Sequence, residues 1–387
     1  MSPRVSIVMP TYNRADSILR AVDSIRAQWF EDWELVVVDD GSTDGTADVL
    51  GGLSEPRIRV VRQANGGTYV ARNTGLGAVR GDFVAFLDSD DEWCEWHLAL
   101  AMAFFTAHPA EHIYTDEFWQ ISGKLVFRDF HKTLTDWSPQ AARRVGSTAY
   151  SGEPPLGDPY LRAYATRSDP GPWAGPLLER VPHPRPFLYS GRIYPHWKWG
   201  YLGVLQSTVL SRAAVEAVGA FDTRFRGGSD YRFLARAAQL FPSNMLSIPG
   251  AIKHETGPGG RPLAHDHIAT GRNPVGYYQG LTTHLEELFL RESPDDWEVR
   301  GVIAQQRAEM AESALENGRR DLALASAEQA LRDLPHARLR ALVAVLKLVP
   351  GVRAPRALWR RVRWACDQPA RAARLLHRVS GRAEARP

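Results

Sequence analysis

Three aspartates follow directly on an apolar segment in the first quarter of the chain. The segment runs from Phe83 to Leu87, and Asp88, Asp90 and Asp91 come after it. A continuously apolar run is typical of a strand covered on both faces, and open α/β sheets bind ligands beyond the carboxyl ends of their strands. Crowded carboxylates repel one another and offer hard oxygen ligands, which favours a bound Mg²⁺ or Mn²⁺. The alternative is a solvated turn whose aspartates cap the next helix.

The length and composition are those of an ordinary globular protein with material for two domains. The chain has 387 residues, of which 44% are hydrophobic and 24% charged, and this excludes a disordered chain. Cys94 and Cys366 lack metal-type spacing and give no disulfide framework, so a reducing cytosol is the expected setting. The apolar stretch Val5–Met9 is too short for a signal peptide, and no segment approaches the ~20 apolar residues of a membrane span.

Positive charge is concentrated near the C-terminus. Residues 351–387 contain ten arginines against only two acidic residues, Asp367 and Glu384, although the formal net charge of the whole chain is +3. Such a tail can contact an anionic membrane, so we expect a cytoplasmic protein with peripheral association at the inner face of the membrane. The alternative is a solvated charged face. Nucleic acid is not an expected partner.

Strands and helices alternate along the first part of the chain. Strands are expected at Val5–Met9, Glu34–Asp39 and Ile58–Arg62. A helix is expected after each of them: Ser17–Gln28 after the first, a helix capped by Ser42 or Thr43 and ending at Leu53 after the second, and Thr68–Ala78 after the third. This order predicts βαβ units and a mostly parallel sheet, in which every loop after a strand lies on one edge. The loops that meet there are 10–12, 39–40, 65–67 and 88–91.

These loops carry residues that can bind a nucleotide. A carboxylate such as Asp40 can accept a hydrogen bond from a base N–H or a ribose hydroxyl. Gly66 and Gly67 can let backbone N–H groups approach a phosphate at a helix N-terminus. Each residue can also simply shape a turn, but four such loops on one edge favour a nucleotide site.

Four segments in this region resemble glycosyltransferase family 2, the inverting enzymes of GT-A fold. They are Val5–Arg14, Val36–Thr46, Asn65–Gly75 and Phe86–Asp91, and the likeness covers roughly the first 120 residues. The resemblance implies an α/β GT-A fold, with a Rossmann-like, mostly parallel sheet flanked by helices. It also implies a nucleotide-sugar donor, commonly a UDP-sugar.

The resemblance assigns roles to individual residues. Asp88 and Asp90 would be the Asp-x-Asp pair that holds Mn²⁺ or Mg²⁺, with Asp90 as the direct ligand. His254 stands where related enzymes have a histidine beside the metal or diphosphate, although a lone histidine is as often structural. The expected nucleotide-sugar-binding residues are Pro10, Thr11, Tyr12, Asp40, Asn65, Gly66, Arg72, Asp88 and Ser89.

A second region, Ala214–Asp222 with Gly228–Arg236, resembles the part of the family that supplies the general base. The family has two adjacent acids there, and the second is the base. Here the pair is Ser229 and Asp230, so the resemblance makes Asp230 the base and leaves open the acceptor contact of the missing acid. The alternative is that Ser229 or Asp230 only caps the following helix.

We expect residues 1–265 to form the catalytic domain, with a nucleotide-sugar-binding half at 1–120 and an acceptor-binding half at 121–265. Residues 129–200 are rich in tryptophan and offer either an acceptor surface or a small core. Residues 275–387 are expected to be a helical region with the basic tail, either docked on the catalytic domain or used for homo-oligomer formation.

The sequence thus predicts a transferase that moves a single sugar to a glycan or lipid-linked glycan acceptor. The Gln-x-x-Arg-Trp motif of processive family members is absent, which disfavours a polymer-extruding synthase. One rival is a nucleotide-sugar-binding module that lacks activity. A second rival is a dinucleotide oxidoreductase, but the glycines from Gly75 to Gly81 have the wrong spacing.

Overall fold

The computed structural model describes residues 3–122, 125–127, 158–182, 186–198, 202–225, 227–254, 274–333 and 337–348. The chain divides into two compact units, Met1–Asp266 and His267–Pro387. The basic tail and much of the tryptophan-rich segment 129–200 lie outside the described residues.

The first unit begins with strands and helices in alternation. They are β1 Val5–Thr11, α1 Ile18–Arg26, β2 Trp33–Asp39, α2 Thr46–Gly51, β3 Ile58–Arg62, α3 Thr68–Leu76 and β4 Phe83–Phe86. These four strands pair in parallel in the order β3, β2, β1, β4. Every residue of β1 and β2 is buried, as their continuous apolar sequence predicts for strands covered on both faces.

The rest of this unit extends the same sheet in a mixed pattern. Its elements are β5 Glu92–Trp93, α4 His97–Ala107, β6 Ile113–Ser122, β7 Leu125–Phe127, β8 Thr166–Ser168, α5 Gly171–Leu178, β9 Leu188–Gly191, α6 Tyr194–Trp197, β10 Thr208–Ser211, α7 Arg212–Val218, α8 Ser229–Leu240 and β11 Ser243–His254. After β4 the order continues β10, β6, β11, β9, β8. β10 is antiparallel to both β4 and β6, whereas β11 is parallel to β6. The predicted parallel sheet is therefore found in the first half of the unit, and the second half is mixed.

One predicted helix start is wrong. Neither Ser42 nor Thr43 caps α2; the capping residue is Gly45, and the side chain of Asp44 accepts from the N–H of Thr46. Ser42 is engaged elsewhere, because its hydroxyl accepts from the N–H of Asn13 at 3.0 Å. These contacts join the loop after β1 to the loop after β2, so a long-range bond takes the place of a local cap.

The second unit is helical in its described part. It contains α9 Pro274–Leu285, a π-helical turn at Glu286–Leu290, α10 Trp297–Glu316, α11 Arg320–Asp333 and α12 Ala337–Leu348. Asp296 caps α10 by accepting from two backbone N–H groups. Small alanines on α10 and α11 pack with leucines of α12 in one apolar core. No helix in the described part of the chain is both long and apolar enough to cross a membrane.

A glycine in β11 lets the strand pass a buried acidic side chain. Gly250 lies at an irregularity of the β11–β6 pairing, and a Cβ at this position would overlap the carboxylate of Asp116. Asp116 cannot easily move, because it is fully buried and its Oδ2 lies 2.6 Å from Nδ1 of His97. This close approach holds β11 in the path that carries it to the carboxyl edge of the sheet.

Replacing this glycine tests the constraint. Gly250→Ala should lower the free energy of unfolding by about 1–3 kcal/mol, because an added methyl group forces Asp116 or the backbone to shift. Urea denaturation followed by circular dichroism measures the change. Gly51→Ala is the matched control, since nothing lies within 4 Å of the added carbon. Equal midpoints for the two variants would contradict the account.

Candidate active site

A pocket opens at the carboxyl edge of the parallel strands. β1 ends at Thr11 beside Asp39 of β2 in the sheet register. The pocket encloses about 340 Å³ including open space, and its lining residues are Pro10, Thr11, Tyr12, Asp40, Thr68, Ala71, Asp88 and Ser89. Six of the nine residues expected at the nucleotide sugar therefore line one pocket. The other three, Asn65, Gly66 and Arg72, contact the lining residues Asp40 and Asp88.

Asp40 holds the glycine loop that forms one side of this pocket. Its Oδ1 accepts from the N–H of Gly66 and its Oδ2 from the N–H of Gly67, both at 2.8 Å. Oδ1 also accepts from Nε2 of Gln63 at 2.7 Å. In this structure the two glycine N–H groups are thus directed to Asp40, whereas the sequence suggested a phosphate as their acceptor. Gly67 has a φ of 93°, a conformation that glycine adopts without strain.

The Asp-x-Asp pair is held by cations and an amide. Asp88 Oδ1 accepts from Nη2 of Arg72 at 2.6 Å, and its Oδ2 accepts from Nε2 of Gln206 at 2.7 Å. Asp90 is buried and accepts from Nε and Nη2 of Arg14 at 3.3 and 3.2 Å, both on Oδ2. The two carboxylates are therefore fixed from different sides, one by α3 and the other by the loop after β1.

The third carboxylate, Asp91, is buried and lies next to the end of β11. Its Oδ1 accepts from the backbone N–H of His254 at 2.9 Å. Burial, and next the negative charge of Asp90, raise the pKa of Asp91 well above its ordinary value. The crowding of the acidic loop therefore disfavours the charged form of Asp91.

Lys253 connects the acidic loop to the second half of the unit. Burial alone would lower the pKa of this lysine, but the nearby charges of Asp91, Asp88, Asp230 and Asp90 raise it. One ammonium group therefore interacts electrostatically with three carboxylates of the acidic loop and with Asp230. No role for Lys253 follows from the sequence alone, because its only signal is its position beside His254 at the end of a strand.

Asp230 lies in the first turn of α8 and faces the donor half of the unit. The hydroxyl of Tyr69, on α3, donates to Asp230 Oδ1 at 3.3 Å. Burial alone would lower the pKa of Arg72, but the charges of Asp88, Tyr69 and Asp230 raise it. The helix has Gly228 as its N-terminal cap, with no side-chain capping bond, so Asp230 does not serve as the capping residue.

The imidazole of His254 has a different partner from the expected one. Its Nε2 lies 2.6 Å from Oε1 of Glu92, which also pairs with Nε of Arg20 at 3.1 Å. In the part of the chain that the structure describes, the ligand atoms of Asp88, Asp90 and His254 do not converge within 4.8 Å of one another. A metal on Nε2 of His254 would have to displace Glu92.

Sequence reasoning missed the partners that fix the carboxylates. Arg14 and Gln206 are 76 and 118 positions away from the aspartates to which they donate. Lys253 is also far along the chain from the acidic loop. Arg14 belongs to the segment that carries the family resemblance, and this was the only available signal for it. The structure brings all three to the same edge.

The sheet order and the acidic loop at its carboxyl edge define a GT-A fold with a helical C-terminal region. S. aureus TarS residues 1–349, crystallised with UDP-GlcNAc, superposes with a TM-score of 0.51 at 17% identity, over 93% of this chain and 90% of that one. The same TarS fragment without that ligand gives a TM-score of 0.50 at 16% identity, over 93% and 89% of the two chains. At these identities the likeness establishes the fold only.

Sequence comparison finds relatives of the N-terminal region. Residues 6–143 match the family model for glycosyl transferase family 2. The succinoglycan biosynthesis protein ExoW of Rhizobium meliloti is 46% identical over 114 residues, which cover 28% of this chain and 36% of ExoW. Glycosyltransferase GlyA of Streptococcus pneumoniae is 40% identical over 94 residues, 24% of this chain and 13% of GlyA. The N-terminal region of the chain is thus similar to glycosyltransferase family 2, and the chain spans little more than a third of the length of ExoW.

The bonds from Asp40 to the glycine loop generate a prediction. Asp40→Asn places an NH₂ group against an N–H donor, so at least one of the two glycine N–H groups loses its charged acceptor. We expect the free energy of unfolding to fall by about 1–3 kcal/mol in urea denaturation. Asp16→Asn, the same substitution at an exposed position, is the control. If the two variants unfold at the same urea concentration, the carboxylate does not hold the loop.

Proposed function

We propose that this protein is an inverting glycosyltransferase that moves one sugar from a UDP-sugar to a glycan or lipid-linked glycan acceptor. The observation that carries the proposal is that α3 connects the acidic loop to Asp230. Arg72 donates to Asp88 at 2.6 Å, and the hydroxyl of Tyr69 donates to Asp230 at 3.3 Å. The family 2 domain and relatives such as ExoW, named for succinoglycan biosynthesis, support it. We assign catalysis to residues 1–265, with the donor half at 1–120 and the acceptor half at 121–265.

The donor is proposed to occupy the pocket at the edge of β1 and β2. Pro10, Thr11 and Tyr12 form one side, and Asp40 with its glycine loop forms another. Ser89 lies at the side of the acidic loop. Since carboxylate oxygens have more than one lone pair, Asp40 can accept from a base or ribose while it holds the loop.

The acidic loop fits a divalent cation. Both hydrogen bonds from Arg14 reach Asp90 on Oδ2, so Oδ1 can bind a metal, whereas both oxygens of Asp88 accept bonds from the protein. We therefore propose Asp90 as the direct ligand of Mg²⁺ or Mn²⁺, with Asp88 beside it and His254 as an additional ligand on release from Glu92. Such a cation acts as a Lewis acid that stabilises the charge on the departing diphosphate.

Asp230 is proposed as the general base. The acceptor oxygen attacks the anomeric carbon, the bond from that carbon to the phosphate oxygen breaks, and the electron pair stays on the diphosphate. Asp230 takes the proton of the acceptor hydroxyl. The hydroxyl of Tyr69 donates to Asp230 and holds it in position. The ring of Tyr69 stacks on the ring of Phe221 at a centroid distance of 6.2 Å. α3 thus connects the donor pocket to the base.

The two rival functions have less support. A dinucleotide oxidoreductase would need its glycines directly after a strand, but Gly75 lies in the last turn of α3 and packs on Val8 of β1. A binding module without activity would not need a carboxylate at position 230, yet Asp230 is present and hydrogen-bonded. Only the neighbouring Ser229 departs from the family pattern.

Removing the metal ligand tests the proposed cofactor. Asp90→Asn should abolish Mn²⁺-dependent release of UDP from UDP-sugars, because a neutral amide cannot replace the charge of a carboxylate ligand. Asp16→Asn serves again as the exposed control. Release of UDP that continues at the full rate in EDTA would rule out the metal role.

Removing the base tests the mechanism. Asp230→Asn keeps the size of the side chain, and we expect the kcat for sugar transfer to fall by about 10²–10⁴-fold, the usual contribution of a general base. The melting temperature and the Kd for UDP should change little, because the base faces the acceptor. Transfer at the wild-type rate would move the base to another residue, and a large loss of melting temperature would make Asp230 structural.

A further inference from the structure

A second pocket lies on the face of α8 that carries Ser229. It encloses about 490 Å³ including open space and is lined by Arg232, Arg236, Phe233, Asp222 and residues at the end of α7. Positions 229, 232, 233 and 236 share one side of a helix, because three or four residues make one turn. None of its lining residues lines the donor pocket.

Ser229 lines this pocket, and its buried hydroxyl group lacks a hydrogen-bond partner among the described residues. The residue has no exposed surface, and its Oγ has no hydrogen-bond partner among the described residues. Buried hydroxyls are nearly always hydrogen-bonded, so an unpaired one is a position where a water or a ligand completes the bond. The neutral hydroxyl of Ser229 does not repel an anion, as a carboxylate at this position would.

The charges around the pocket favour an anion. Arg236 forms no hydrogen bond or ion pair within the described part of the chain. The one acidic residue in the lining, Asp222, is neutralised by Arg224, whose guanidinium bonds both carboxylate oxygens at 2.6–3.0 Å. The pocket also adjoins the N-terminus of a helix of 12 residues, where the aligned peptide dipoles favour negative charge.

We propose that this pocket is a phosphate subsite for the acceptor, with Arg236 and the Ser229 hydroxyl as its binding groups. Arginine binds phosphate through two parallel hydrogen bonds, and a neutral serine donates a third. Ser229 and Asp230 are neighbours in the first turn of α8, and successive helix residues point about 100° apart, so the pocket and the proposed base lie on adjoining faces of the helix. Assigning this phosphate to the acceptor rests on the proposed function, whereas phosphate binding itself does not.

Titration of inorganic phosphate into the full-length protein tests the subsite. Calorimetry is done at constant ionic strength with saturating UDP and Mg²⁺, which keeps phosphate out of the donor pocket. Arg236→Gln should raise the Kd for phosphate about tenfold or more, the usual effect of losing a charge-assisted hydrogen bond. Ser229→Glu should abolish binding by charge repulsion. Arg26→Gln, which removes a charge on α1 that pairs with Asp23, should leave the Kd unchanged.

A vesicle arm separates the two sources of phosphate. Vesicles with phosphatidic acid present a phosphate monoester on a lipid, and phosphatidylcholine vesicles are the reference. If Arg236→Gln loses binding to phosphatidic acid vesicles, the pocket takes a phosphate carried by a lipid. If Arg236→Gln loses binding to inorganic phosphate but its binding to vesicles is unchanged, the pocket takes the phosphate of a soluble acceptor. Equal Kd values for the wild type and Arg236→Gln, or no binding of millimolar phosphate to the wild type, would overturn the subsite. Release of UDP from a UDP-sugar by the wild type is measured in a separate assay. If no UDP is released, the result contradicts the proposed function but not the binding of phosphate to this pocket.

Discussion

The carboxyl edge of the sheet depends on the compensation of crowded negative charge. Asp88, Asp90, Asp91 and Asp230 approach one another in a largely buried region, where an uncompensated carboxylate is costly. Arg14, Arg72 and Lys253 supply the opposing charges. Because these cations come from the loop after β1, from α3 and from the end of β11, the charge balance requires all three elements to reach the same edge.

The topology of the sheet explains why two distant sequence regions can share one site. β1, β2 and β4 run in parallel and deliver their following loops to one edge. β10 is antiparallel to β4, and β11 runs parallel to β6, so the end of β11 returns to the acidic loop at His254. The hydrogen bond from the backbone N–H of His254 to Asp91 connects the end of β11 to the acidic loop.

Much of the fold followed from the sequence, because apolar segments such as 34–39 and 83–87 are too continuous for anything but strands covered on both faces. The strand ends then placed Thr11, Asp40 and Asp88 together without any coordinates. The start of α2 was not predictable from local pattern, since Asn13 engages Ser42 and Thr43 from 29 and 30 positions away. For the same reason Gln206 and Lys253 went unnoticed: their role depends on a sheet order that mixes parallel and antiparallel strands, which periodicity alone does not specify. Asp230 was identified through the family resemblance, not through its spacing from the donor loops.

The central claim is that one edge of the sheet binds the nucleotide of the donor beside a base on α8. A crystal structure of the full-length protein with UDP and Mn²⁺ tests it most directly. The account predicts the nucleotide in the pocket between Thr11, Asp40 and Ser89, with Mn²⁺ on Oδ1 of Asp90 and the diphosphate directed toward Asp230. A nucleotide bound away from this pocket, or Mn²⁺ with no contact to Asp90, would contradict it.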